Sequence, residues 1–352
     1  MVTETVVRSM PAEWSQHHAT WISWPHNRET WPRVLGQAEA AMAEVVAALA
    51  PHEIVCINVQ DELQARRVES LLADRVPGDR IRLFHVATDD AWIRDYGAIV
   101  VRDSGAPAGA TAVDFDYNAW GGKYPPYDRD RAVAARMAEL LGLPRVHCPI
   151  VLEGGSVDVD GEGLALVTEQ CLLNPNRNPS LGRSEIETWL RDLLGANECV
   201  WLGEGIDGDD TDGHIDNLAR FVGPRSVVAV VTDNEADPNY RALRDNFRRL
   251  EEYRDRRGRK LDVRELPLPD PVMRGGSRLP ASYANFYIAN EVVLMPAFGL
   301  PADAVAAGVL ADCLPSRRVV PIDCRDLIVG LGALHCLTQQ IPAIVAGFEP
   351  EQ

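Results

Sequence analysis

Leu152-Glu153-Gly154-Gly155-Ser156-Val157-Asp158-Val159-Asp160-Gly161-Glu162-Gly163-Leu164-Ala165-Leu166-Val167 begins as a polar, glycine-rich loop and ends as two short runs around an Asp/Gly turn. Such a pair of runs reads as a β-hairpin. The same order recurs further along. Runs 218–222 and 226–231 flank Gly223-Pro224-Arg225, and runs 285–288 and 292–295 flank Ala289-Asn290-Glu291. Between hairpins, apolar residues fall at helical spacing over about 34–50, 61–75, 129–142, 182–195, 236–257 and 301–314, as in Val133, Met137, Leu140 and Leu141. Asp128 and Asp130 mark the start of the third helix, and Pro301 and Asp303 the start of the last.

Polar clusters occupy matching places in this pattern, near 92–97, 153–158, 210–217, 282–286 and 332–336. They stand about 50–75 residues apart, longer than a common solenoid repeat. Five αβ units, each lending one polar loop to a shared centre, make an α/β chain with one catalytic domain over 1–352.

Composition narrows the function. The chain has 352 residues, 46% hydrophobic and 25% charged, as in an ordinary globular protein. Its net charge of −17 repels nucleic acid and anionic membrane and attracts small cations. Lysine occurs only at 123 and 260, which reads as codon composition. The start, MVTETVVRSMPAEW, lacks the basic-then-apolar order of a secretory signal, and no run is long enough to span a bilayer. A cytoplasmic location is expected, and a homodimer is the common default. The seven cysteines include no CxxC pair, so neither a disulfide framework nor a structural zinc site is expected. Cys56 and Cys171 sit in apolar runs and read as small buried hydrophobes.

Cys336 differs. It follows Gly330-Leu331-Gly332-Ala333-Leu334-His335 and precedes Leu337-Thr338-Gln339-Gln340. Glycines permit close backbone approach, which suits a nucleophile as well as a buried thiol. A reactive thiol needs a base or cation nearby. His335 is adjacent and in a strand would face away. His214, in Asp209-Asp210-Thr211-Asp212-Gly213-His214-Ile215-Asp216-Asn217, is the better partner, although this segment also reads as a solvated acidic turn. In a strand, His214 and Asp216 would share a face, and the carboxylate would raise the imidazole's pKa. Asp95 reads as a site carboxylate or as an ion-pair partner of Arg94 or Arg102. Glu153 reads as a site carboxylate or a turn residue, and Trp92 as a core aromatic or the wall of a cation site.

One cysteine, one histidine and several carboxylates suit guanidine hydrolysis. Carboxylates grip the planar donor fork, a thiolate attacks its carbon, and the histidine protonates the departing ammonia. His214-Ile215-Asp216 with His335 also has the order of a two-histidine, one-carboxylate iron site, but no basic residue follows His335 to hold a co-substrate.

Seven segments in order carry a resemblance: 92–97 (WIRDYG), 118–124 (NAWGGKY), 153–156 (EGGS), 168–174 (TEQCLLN), 210–217 (DTDGHIDN), 285–290 (NFYIAN) and 334–340 (LHCLTQQ). The chain resembles the agmatine deiminases and bacterial-type peptidylarginine deiminases of the guanidine-modifying (pentein) superfamily. The resemblance implies a five-bladed αβ propeller with pseudo-fivefold symmetry and no cofactor. It implies Cys336 as nucleophile, His214 as acid–base, Asp95 and Asp216 as guanidinium clamps with Glu153 supporting, Trp92 as a channel wall, and Asp210 near a distal amine. Ala98 stands where the family commonly has Pro, and the approach to Cys336 has fewer glycines than many agmatine deiminases. Peptidylarginine, free arginine or another guanidine remains an alternative substrate.

Overall fold

The computed structural model describes residues 7–344, so part of the stretch read for a leader, residues 1–6, lies outside the described residues. Five sheets of three or four strands repeat one pairing scheme, and a sixth is a small hairpin, Met273–Arg274 with Ser277–Arg278. Ile99–Asp103 runs antiparallel to Ala110–Asp116, which runs parallel to Arg145–Val151. Asp158–Val159, Leu164–Thr168 and Glu198–Leu202 follow the same antiparallel-then-parallel order. So do Ala219–Gly223, Ser226–Val231 and Asp262–Pro267, and Tyr287–Ile288, Val292–Ala297 and Arg318–Asp323. In the fifth sheet, Gln339–Pro342 pairs antiparallel with His17–Ser23, which runs parallel to Ile54–Val59 and leads on to Ile81–His85.

A parallel neighbour needs a crossover, and helices supply it. Leu35–Leu49, Asp128–Leu140, Arg183–Leu194, Tyr240–Glu252 and Ala302–Cys313 each link the two parallel strands of one sheet. Their inner faces are apolar: Val133, Ala134 and Met137 of the second are buried, as are Ile186, Leu190 and Leu194 of the third. Arg183–Leu194 stops at Gly195, whose φ of 73° gives the left-handed cap that glycine favours.

The expected helices agree with these to within a few residues. Asp130 does not cap its own helix. Its carboxylate accepts the backbone N–H groups of Asp89 and Asp90 instead and fixes the loop that leads to Trp92. Tyr240–Glu252 is shorter than expected because residues 236–239, including Pro238, form turns. Among the described residues no helix is long and apolar enough to cross a membrane.

Candidate active site

Each polar loop ends where the first strand of an antiparallel pair begins. Trp92–Gly97 precedes Ile99–Asp103, Glu153 precedes Asp158–Val159, His214–Asn217 precedes Ala219–Gly223, Asn285 precedes Tyr287–Ile288, and Cys336 precedes Gln339–Pro342. The loops meet. Arg94 donates its backbone N–H to the Cys336 carbonyl at 3.2 Å. Gly155 donates its N–H to Asp95 Oδ1 at 3.0 Å. Asn285 Nδ2 donates both to Cys336 Sγ and to Asn217 Oδ1, at 3.1 Å each.

Cys336 lies at a cleft of about 680 Å³ whose walls include Trp92, Asp95, Trp120, Tyr124 and Asp210. Its Sγ is 3.6 Å from Asp216 Oδ2. Burial pushes the Cys336 thiol well above its usual range; Asp216 and Asp95 push it further, against the Asn285 hydrogen bond. His214 is fully buried, with Nδ1 3.8 Å from Asp95 Oδ1. Burial works against its charged form, but Asp95, Cys171 and Asp216 outweigh that and hold its pKa well above the ordinary imidazole value.

Two backbone features make room for these groups. A Cβ on Gly155 would stand 2.6 Å from His214 Nδ1 and 2.8 Å from Asp95 Oδ1, so only glycine fits between the loops. A Cβ on Gly332 would strike the Trp92 ring at 2.4 Å, so glycine is what lets this ring pack against the approach to Cys336. Ala119 and Trp120 take positive φ, 51° and 55°, which aims the indole Nε1 at Asp95 Oδ2, 3.0 Å away. Non-glycine residues hold such conformations at a cost that sites often retain.

Several sequence-based readings change here. His214 and Asp216 are not in a strand. His214 enters a short 3₁₀ turn, Ile215–Asn217, which carries Asp216 toward Cys336 while His214 meets Asp95. Asp95 is paired with neither Arg94 nor Arg102: its partners are Trp120, Gly155 and His214. Arg94 instead bonds Gln340 Oε1 and Glu13. His335 does not face away. It sits in a turn, with Nδ1 2.7 Å from Asp216 Oδ2 and Nε2 2.9 Å from Glu13 Oε2. Both ring nitrogens of His335 are thus engaged, and among the described residues His214, Asp216 and His335 do not converge as a ligand set for iron. Trp92 is both buried and a cleft wall. The Asp210 carboxylate lines the cleft and accepts a hydrogen bond from Tyr124.

Three neighbours were not singled out from sequence. Glu13 lies beneath the site, joined to His335, Arg94 and Arg220, and nothing in Pro11-Ala12-Glu13-Trp14 marks it. Arg177 Nε holds Glu153 Oε1 at 2.7 Å, so Glu153 is a buried, paired carboxylate rather than a turn residue. Cys171 is buried as expected but is not merely apolar: the short helix Glu169–Leu172, capped by Thr168, brings its sulfur beside His214 and Glu153. The acidic and amide residues around Gln170 and Asn174 were the available signal.

Residues 9–342 match the family described as Porphyromonas-type peptidyl-arginine deiminase. The agmatine deiminase of Ectopseudomonas mendocina is 41% identical over 358 residues, covering 95% of each chain. That of Stutzerimonas stutzeri is 40% identical over 360 residues, again covering 95% of each. The solved structure of the agmatine deiminase of Enterococcus faecalis superposes with a TM-score of 0.88 at 31% identity, covering 95% of this chain and 96% of that one. Fold and site together define a guanidine-modifying enzyme, a hydrolase of carbon–nitrogen bonds. Within that class, the chain belongs to the Porphyromonas-type peptidyl-arginine deiminase family.

Proposed function

We propose that this protein hydrolyses agmatine to N-carbamoylputrescine and ammonia, with Cys336 as nucleophile and His214 as acid and base. One observation carries the reading. Two buried carboxylates, Asp95 and Asp216, act on the Cys336 thiol, and among the described residues no Arg or Lys pairs with either. Each faces an imidazole but, among those residues, no guanidinium or ammonium, so a planar cation can enter between them, with its carbon against the sulfur.

The empty site keeps Cys336 protonated. An entering guanidinium offsets Asp95 and Asp216, so the thiol gives up its proton when the electrophile arrives. The thiolate attacks the guanidinium carbon and forms a C–S bond. His214, held protonated, gives its proton to the departing nitrogen, and ammonia leaves an amidino group on sulfur. Neutral His214 then takes a proton from water as the water attacks that carbon. The C–S bond breaks, the new hydroxyl gives up its proton to solvent as it becomes the carbonyl, and the carbamoyl product leaves with the thiolate restored. Glu153 stands behind His214 as its support. Trp92 flanks the methylene chain, and Asp210 serves the distal ammonium.

The five matching sheets, each placing one loop at the site, support a five-bladed αβ propeller acting as one catalytic domain. Agmatine, arginine and an arginyl peptide, assayed in parallel for ammonia, test the substrate. Release from agmatine alone is expected. Release from arginine or the peptide but not agmatine overturns the substrate and spares the chemistry.

A further inference from the structure

We propose that Glu153, Cys171 and His214 form a binding site for a divalent transition-metal ion such as zinc, and that metal held there switches the enzyme off. The switching half rests on the role proposed for His214; the binding half does not.

Each of the three residues offers one donor atom, and those atoms lie within 4.8 Å of one another. Imidazole nitrogen, thiolate sulfur and carboxylate oxygen are the ligands zinc takes, and three protein ligands with a fourth position for water is one of its usual arrangements. A tetrahedral ion with bonds of about 2.0–2.3 Å needs its ligands roughly 3.3–3.8 Å apart, so small side-chain rotations close this set.

Unused bonding capacity is the second observation. Both ring nitrogens of His214 and Oε2 of Glu153 are buried with no hydrogen-bond partner. Buried polar atoms are ordinarily paired, and three orphans in one cluster point to a ligand. The surroundings also suit a metal. Arg177 engages only Oε1 of Glu153, which orients the carboxylate and leaves the other oxygen available. Asp95, which lines the cleft, stands 3.8 Å from His214 Nδ1, so a cation drawn to its carboxylate comes next to the cluster.

Binding requires no redox step. The metal takes the place of the Cys171 thiol proton and of any proton on the ligating His214 nitrogen, and these pass to solvent. A histidine bound to metal no longer shuttles protons, so turnover stops until the ion is removed.

Zinc sulfate is the probe, and the first protein tested is Cys336→Ala, which lacks the thiol at the cleft. Equilibrium dialysis is expected to leave one zinc per chain, and X-ray absorption to show a single sulfur at about 2.3 Å with nitrogen and oxygen neighbours. Adding Cys171→Ser or Cys171→Ala is expected to weaken zinc binding tenfold or more. Two substitutions are used because a buried serine can disturb folding, and melting curves identify any variant that has lost its fold. The absorption spectrum needs no Cys171 variant. Absence of bound zinc, a spectrum without sulfur, zinc lost with Cys336 alone, or zinc retained after Cys171 is replaced in a folded protein overturns the site. In the unmutated protein, zinc is expected to stop ammonia release and EDTA to restore it. Cys171 variants, each compared with its own metal-free rate, are expected to need tenfold more zinc. Bound zinc with undiminished turnover overturns the switch. A failure of the agmatine reading leaves the dialysis and absorption results standing, so the two proposals fail separately.

Discussion

Asp95 and Asp216 are both buried, 5% and 1% exposed, and both press on the same thiol, yet their carboxyls titrate in opposite directions. Burial raises Asp95, and the neighbouring charges of Asp216 and Glu153 add to it. His214 and the Trp120 hydrogen bond offset only part, leaving Asp95 at about 6. Burial acts on Asp216 as well, but the His335 hydrogen bond, the His335 and His214 charges and Arg220 outweigh it and hold Asp216 below the usual value. Position in the site therefore does not set a carboxylate's character; its partners do. Asp216 belongs to a network through His335 to Glu13, Arg94 and Arg220. Asp95 has two neutral donors and one imidazole.

The largest expected effect tests whether both carboxylates serve one nucleophile. Cys336→Ala should lower ammonia release by a factor on the order of 10⁴ or more. Full activity in that variant would leave the comparison without a centre.

The two carboxylates should then part company. Asp216→Asn should lose on the order of 10³-fold in kcat/KM and also about 3–5 kcal/mol of stability, because it breaks a buried charged pair. Asp95→Asn should lose about 10²–10³-fold in kcat/KM with little loss of stability, since burial already disfavours its charge. Denaturant melts beside the kinetics separate these outcomes, and equal destabilisation by the two variants would erase the contrast.

The pH dependence has opposite signs at the two positions. Asp95 is raised from 3.8 to about 6, so it costs stability above about 6 and the cost is relieved as pH falls toward 3.8. Asp216 is lowered, so its contribution is present above 3.8 and lost as pH falls through its folded value. A shift from 3.8 to about 6 corresponds to about 3 kcal/mol. The stability of Asp95→Asn relative to the parent should accordingly be higher at pH 8 than at pH 5. In kinetics, kcat/KM for a guanidinium substrate should fall on the acid side with a midpoint near 6, as Asp95 takes up its proton. An acid limb that keeps this midpoint in Asp95→Asn would assign it elsewhere.

The smallest change is Trp120→Phe, which removes the indole donor from Asp95 and leaves Asp216 untouched. It should raise KM about tenfold, in line with one hydrogen bond to a charged group. Initial rates against agmatine would measure it.

The sequence carried the periodic part of this structure well. Helices at about 34–50, 129–142, 182–195 and 301–314 agree with the observed elements because apolar spacing and end signals are local properties. The hairpins were legible for the same reason. Cys336, His214, Asp95 and Asp216 fall in the polar clusters between those elements, and the ordered motifs of the resemblance, not their local sequence alone, singled them out. What separates Asp95 from Asp216 was not legible, since His335 and Arg220 act on Asp216 from distant parts of the chain and Glu13 joins the two. The strand geometry expected for His214 and Asp216 also failed locally. Asp212 and Gly213 take positive φ, 65° and 84°, and turn the chain into a 3₁₀ segment. Cys171 looked apolar because Leu172 and Leu173 follow it; its contacts with Glu153 and His214 come from two other loops.

The pairing of Gln339–Pro342 with His17–Ser23 has a consequence for assembly. These strands lie at opposite ends of the described chain, so their contact closes the longest loop in the fold and carries the greatest entropic cost of search. Cys336 precedes the closing strand and is translated after every other residue of the site. A nascent chain can therefore gather its carboxylates and His214 before it has the cysteine proposed as nucleophile. On the proposed role of Cys336, catalytic competence arrives in the same event that seals the fold, and an incompletely made protein stays chemically silent.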